Sequence, residues 1–400
     1  MGTLPQVGDR RLAVLGLLLV AALAVVAAGC SGDSGNGSTE IDGLGSSLRE
    51  IRGSARAEGE LELVVWPGYA DDSWTAPFER QTGCMVNATA ATSSDEMLSL
   101  FRSGDYDGVS ASGDISGLLM ADGDVAPIDP ERIPNFELVQ ASVKNRAFNS
   151  RDDRPYGMPQ GRAANLLVFR TDTVSEETES WNVIWDDAKR YTGRLSIRDD
   201  AMVIADAATY LAATRPGLAI DDPYQLNEQQ FRAALRLLRA QAPHVGEYWG
   251  RTDSAQVTSF RSGESAVGTT LPERLREMEA EGIPVKAVKP VEGATGWSDT
   301  WMVSSGAANP NCMYLWMDYV ASPDVQAHVA DSLQQAPVNL DACQLTESPD
   351  TCTALHAADD EWWEDIDYWT TPSEDCGDPA REETCKTLDE WKAAWADLRG

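Results

Sequence analysis

Residues 61–89, LELVVWPGYADDSWTAPFERQTGCMVNAT, decide the fold. Leu61 to Trp66 is short, β-branched and apolar, and Pro67 and Gly68 stop it, as in a strand that runs into a turn. From Asp71 to Gln81, Trp74 and Phe78 stand four residues apart on one face of a short helix, which Gly83 ends. Cys84 to Thr89 returns as a second strand. Strand, helix and strand in so short a span are the unit of an α/β lobe with a largely parallel sheet.

The same alternation continues outward. Ser93, Ser94, Asp95 and Glu96 form a capping box ahead of Met97, Leu98 and Phe101, and Gly104 ends that helix. Tyr106–Ser112 predicts a strand and Ile115–Met120 a helix. A second lobe follows from strands at Ala163–Phe169, Arg194–Ile197, Ala266–Thr269 and Val285–Val288. Helices are expected at Asp206–Ala213, after the cap Asn227, and from Pro272 to Ala280. Two more begin at Asn311 and at Ser322-Pro323. The chain is too long for one growing core, so two lobes joined by extended crossovers are expected. The domain reading is residues 60–162 for lobe 1, 163–292 for lobe 2, 293–342 for the return crossover with the rest of lobe 1, and 343–400 for an extension. That extension is rich in cysteine, tryptophan and acid, as in Asp359–Trp369, DDEWWEDIDYW. It reads as a wrap stapled by disulfides, with Trp391 and Trp395 docking a terminal helix.

Ligands of open parallel sheets sit beyond the carboxyl ends of the strands. Those ends are Trp66–Tyr69, Ser110–Asp114, Asp199–Asp200 and Gly268–Leu271. The return crossover carries Gly293–Trp301, GATGWSDTW. Read as one strand, it puts Trp297, Asp299 and Trp301 on one face and Ser298, Thr300 and Met302 on the other. Two indoles beside a carboxylate suit an organic cation, because aromatic faces attract its charge and the carboxylate pairs with its ammonium. An edge strand with Asp299 in water is the plainer alternative.

Arg10 and Arg11, the apolar run Leu12–Gly29 and the small residues before Cys30 read as an export signal over residues 1–29. Cys30 sits where a bacterial lipobox has its lipidated cysteine, although Ala27 replaces the usual leucine. Acyl chains there would hold the protein at the outer face of the cytoplasmic membrane. Residues 30–59 follow as a Ser/Gly-rich tether. Six further cysteines, Cys84, Cys312, Cys343, Cys352, Cys376 and Cys385, allow up to three disulfides with the pairing open. Their spacing and the three histidines give no zinc pattern, so no metal or cofactor is expected. The formal charge of −32 favours cations and argues against nucleic-acid binding, although solubility alone would also select acidity.

Taken in order, Trp66 and Tyr69, Phe78 to Gly83, Tyr106-Asp107, Ser112, Ile128-Asp129, Tyr156 to Pro159, Asp199-Asp200, Gly296 to Thr300 and Ala336 to Asn339 resemble the spermidine/putrescine-binding proteins of bacterial ABC importers. The resemblance runs from about Leu61 to Leu345. It implies a two-lobed receptor of the periplasmic-binding-protein type that closes on its solute and delivers it to permease subunits. Carried over by position, it implies ligand contacts at Trp66, Tyr69, Ser112, Asp200, Trp297 and Asp299. The chain departs from the pattern at Gly68 and Val203, where glutamates are expected, at Leu271, expected tryptophan, and at Gln335, expected tyrosine. Asp114 stands at an aromatic position and restores one acid. Unpaired amines are costly to bury, so these departures bear on the cargo.

Other classes remain in view. Asp200 and Asp299 could imitate a glycosidase pair, but neither G-x-S-x-G nor H-E-x-x-H occurs. Arg162 or Arg198 could receive the anionic end of a carboxylated amine or a phosphonate. The tryptophan-rich tail could instead bind a surface partner or glycan.

Overall fold

The structure is a computed structural model that describes residues 57–174, 178–250, 254–376 and 383–400. The export signal, Cys30 and most of the tether lie outside the described residues.

Lobe 1 is built on strands β1 (Glu60–Val65), β2 (Met85–Ala90), β3 (Gly108–Ala111) and β4 (Val125–Ala126). A small hairpin follows, β5 (Ser150–Arg151) and β6 (Arg154–Pro155), then β7 (Gly157–Pro159). The chain crosses to lobe 2 through β8 (Ala163–Ala164) and β9 (Leu166–Arg170). Lobe 2 adds β10 (Leu195–Arg198), β11 (Val245–Trp249), β12 (Val267–Thr270) and β13 (Val285–Val288). The return runs through β14 (Ala294–Trp297) and β15 (Thr300–Ser304), and the extension contributes β16 (Ile366–Tyr368).

The first sheet has the order β2-β1-β3-β15-β4, with β7 also on β15; β1 is parallel to both β2 and β3, and β15 is antiparallel to its neighbours. The second has the order β11-β10-β12-β9-β13, parallel around β10 and antiparallel around β9. Each antiparallel member is a crossover strand, so the sheets are two α/β lobes each completed by chain arriving from the other. Helices Asp72–Thr82 and Pro310–Val320 pack together through Phe78 and Trp316, whose rings meet edge to face at 5.1 Å. In lobe 2 the helix Glu228–Gln241 carries the full Asn227/Gln230 capping box and buries Phe231, Leu235 and Leu238. At Ser93 only half of the expected box forms: its hydroxyl accepts from Glu96 N, while the Glu96 carboxylate turns to Thr92.

Two expectations change. GATGWSDTW is not one strand: β14 ends at Trp297 and β15 begins at Thr300, so alternation stops at Ser298 and Asp299. The extension, expected as an outer wrap, enters the hinge, where β16 runs parallel to β14 in a three-stranded sheet closed by β8. Three disulfides form, Cys84–Cys312 inside lobe 1 and the local pairs Cys343–Cys352 and Cys376–Cys385 in the extension. The terminal helix Leu388–Arg399 docks as expected, with Trp391 tilted on Phe231 and Trp395 edge-on to Tyr248.

Candidate functional site

The break after Trp297 positions Asp299. Leaving the strand, its carboxylate turns into lobe 1 and is wholly buried. Tyr69, just past the end of β1, donates its hydroxyl to Asp299 Oδ2 at 2.6 Å, and Ser112, just past β3, donates to Oδ1 at 2.6 Å. Gln335 Nε2 donates in turn to the Tyr69 hydroxyl at 2.6 Å. The ends of β1 and β3 thus converge on one carboxylate, which the loop before Ala336 reaches through Tyr69, and charge-assisted hydrogen bonds offset its burial. Gln335, read from sequence as a departure, is a working member of this network. Trp66 is buried beside it, its backbone N–H donating to Ser110 Oγ at 3.1 Å.

The two indoles expected to flank Asp299 part company. Trp301 enters the lobe 1 core, edge-on to Trp316 at 5.4 Å, with Nε1 donating to Gln160 Oε1 at 2.5 Å. Trp297 instead meets Trp369 of the extension at 6.1 Å. The loss of strand alternation at residues 298 and 299 is the cause.

Asp114 lies two residues beyond Ser112, in the first turn of the helix Gly113–Asp122. It is 4% exposed, and its Oδ1 has no hydrogen-bond partner among the described residues. A helix N-terminus favours a carboxylate, yet burial foremost, and then the negative charge of Asp200, push its pKa from 3.8 up to about 7. From lobe 2, Asp200 accepts from Arg198 Nη2 at 2.9 Å and from Met202 N at 2.8 Å. The Arg198 guanidinium lies over the Trp369 ring, 4.2 Å from its centre. Asp199, adjacent in sequence, turns to the terminal helix: it accepts from Trp395 Nε1 at 3.0 Å and from both Nε and Nη2 of Arg399.

The site residues therefore form two linked groups. Tyr69, Ser112, Asp299 and Gln335 make a satisfied network in lobe 1. Asp114, Arg198, Asp200, Trp297 and Trp369 make a charged aromatic seam where lobe 1, lobe 2 and the extension meet. Trp369 was missed by sequence reasoning; the only signal was the aromatic density of DDEWWEDIDYW, which was read as packing.

Other positions are settled by backbone and burial. Gly68 has φ +84°, and a Cβ there would stand 3.0 Å from Leu333 Cδ2, so a glutamate would be strained and crowded. Val203 opens the helix Val203–Thr214 and Leu271 caps the helix Pro272–Ala280, both buried. Arg162 is buried as well: it donates to Gln140 Oε1 and to the Ala357 carbonyl, and its guanidinium covers Trp363 at 4.3 Å. It holds the extension, and Arg198 holds Asp200. Among the described residues no group of three or more His, Cys, Asp or Glu side chains is arranged to hold a metal ion.

Residues 73–365 match the model of the bacterial extracellular solute-binding protein family. The spermidine/putrescine-binding periplasmic protein of Escherichia coli K12 is 23% identical over 291 residues, covering 71% of this chain and 79% of that protein. Among solved structures, the spermidine/putrescine ABC transporter substrate-binding protein of Streptococcus pneumoniae superposes with a TM-score of 0.67 at 17% identity, covering 85% of this chain and 97% of the other. A lipoprotein of Treponema pallidum superposes with a TM-score of 0.68 at 20% identity, covering 85% and 99%. The resemblance read from scattered residues, the two α/β lobes and the match over most of the chain agree: this protein belongs to the bacterial extracellular solute-binding protein family, whose members bind solutes and do not catalyse reactions.

Proposed function

We propose that this protein captures a small amine-bearing solute, a polyamine or a shorter relative, at the seam between its lobes and delivers it to the permease of an ABC importer. The importer role follows the family and its relatives; the amine rests on the site. The observation that carries it is Asp114, a buried carboxylate whose Oδ1 lacks a partner among the described residues, set near Asp200 at the seam that also holds the Trp297–Trp369 pair. A buried acceptor of this kind is relieved by a cationic donor, and the neighbouring aromatic faces reward the same charge. Trp66, Tyr69, Ser112, Asp114, Asp200, Trp297 and Asp299 are the residues assigned to the solute. Tyr69 and Ser112 hold the Asp299 carboxylate in place, and a carboxylate has acceptor capacity beyond two hydroxyls.

The same reading holds the receptor at the outer face of the membrane through lipidated Cys30. Cys30→Ser should then move the protein from the membrane fraction to the soluble one, and an unchanged membrane fraction removes the anchor.

Calorimetry with putrescine, spermidine, choline, amino acids, phosphonates and sugars, on protein purified without denaturation, tests the cargo. Binding of an amine with no response to neutral sugars is the expected outcome. Tight binding of a neutral sugar with no response to any amine would remove the cationic solute and leave the receptor role intact.

A further inference from the structure

The family match ends at residue 365, and the next residues of the chain run straight through the seam. β16 pairs with β14, and Trp369 N donates to the Gly296 carbonyl at 2.8 Å, so the hinge itself delivers Trp369 to the candidate site. The indole is 3% exposed. Its neighbours are Trp297 on the return crossover and Arg198 from lobe 2. From lobe 1, Gly113 approaches so closely that a Cβ there would stand 1.9 Å from the Trp369 carbonyl oxygen. Gly113 lies between the site residues Ser112 and Asp114. Two residues on, Thr371 Oγ1 accepts from Gly117 N and donates to the Gly113 carbonyl, both at 3.0 Å. From the other side, Gln225 Nε2 of lobe 2 donates to the Thr371 carbonyl at 3.0 Å. Residues 366–373 are therefore held to the hinge and to both lobes.

We propose that Trp369 closes one end of the solute site and thereby sets the length of amine it accepts, short diamines over longer polyamines. The inference rests on the amine reading above and assigns a specificity-determining residue to a segment outside the family match. The Trp369 indole fills the space between Trp297 and Arg198 with the largest side chain available, its backbone carbonyl lies against Gly113, and its indole N–H has no acceptor among the described residues. A methylene chain that extended along Trp297 toward Arg198 would have to displace it. Rigid filling of a pocket end discriminates by chain length because each added methylene then meets a wall instead of apolar space.

The test is calorimetry of wild type, Trp369→Ala and Trp369→Phe with α,ω-diamines of three to six carbons and with spermidine, alongside circular dichroism melting of each protein. The expected result is that Trp369→Ala raises affinity for the longest amines relative to the shortest by at least about tenfold, with Trp369→Phe shifting the ratio less in the same direction. A purely structural Trp369 would weaken all amines equally. An unchanged ratio in a folded Trp369→Ala protein overturns the inference and leaves the amine reading standing. If Trp369→Ala does not fold, the ratio for Trp369→Phe decides in the same way. If wild type binds no amine of the series, the amine reading falls and this inference falls with it.

Discussion

Asp299 and Asp114 flank Ser112 in space and in sequence respectively, and both are buried, yet their surroundings differ. Asp299 accepts hydroxyl donors on both oxygens from Tyr69 and Ser112. Asp114 keeps one oxygen without a partner among the described residues, and burial together with Asp200 lifts its pKa to about 7. The comparison separates two uses of a buried acid. One is fixed by the fold through two hydroxyl donors and ties the ends of β1 and β3 to the return crossover. The other is disfavoured in its charged form and holds a proton below about pH 7, and a cation arriving between the lobes would favour the charge.

Asp299→Ala should have the largest effect on stability. Removing the carboxylate leaves the Tyr69 and Ser112 hydroxyls without their acceptor in a dry interior, and each buried orphan costs roughly 1–3 kcal/mol. Urea unfolding should show a loss of roughly 3–5 kcal/mol. A loss under roughly 1 kcal/mol would mean that the hydroxyls find other acceptors and that the network is not what holds the strand ends together.

Much of the fold was legible in the sequence because its signals are local. β-branched runs stopped by Pro67-Gly68, the Asn227/Gln230 capping box and the Trp391/Trp395 spacing each depend on residues a few positions apart, and each appears in the structure. The Asp299 network was partly legible: Tyr69, Ser112 and Asp299 were singled out as strand-end or family positions, whereas Gln335 was marked only as a departure. What could not be read was long-range placement. Nothing near Trp369 states that β16 will pair with β14, and the periodicity of GATGWSDTW gave no warning that it would break at Ser298. The partition of Trp297 to the seam and Trp301 to the core follows from that break.

Asp114→Asn should act in the opposite direction to Asp299→Ala. Because the folded pKa of about 7 lies above the unfolded 3.8, the folded protein holds a proton between roughly pH 4 and 7 that the unfolded chain has released. Stability should therefore be highest below that window and fall as pH rises through it. At pH 8 the penalty for the charged form is on the order of 2–4 kcal/mol, and Asp114→Asn should recover it and remove the fall above about pH 6, while Asp206, Asp318 and Asp367, which burial raises to about 6, keep the fall at lower pH. The same titration predicts that amine affinity strengthens as pH rises through 7 in wild type and not in Asp114→Asn. A wild-type stability profile that is flat from pH 4 to 8 would erase the distinction between the two acids.

The smallest effect sharpens the contrast from the lobe 2 side, where Asp199 and Asp200 stand together in sequence and divide their work. Asp200 faces Arg198 in the seam, while Asp199 receives Trp395 Nε1 and a bidentate Arg399 from the terminal helix. The Asp199–Arg399 pair is partly exposed, with side chains 38% and 34% accessible, so water screens it and its removal costs little. Asp199→Asn keeps an acceptor for the indole but removes the charge, and should lower stability by about 0.5–1 kcal/mol. The loss should be local: faster amide hydrogen exchange over Leu388–Arg399, with β10 and the helix Val203–Thr214 unchanged. Amine affinity should stay within about twofold of wild type, because the charge removed lies on the helix side of the strand end. A large loss of amine binding in Asp199→Asn, with the terminal helix still protected, would move Asp199 into the solute site and make the pair a joint cation ligand.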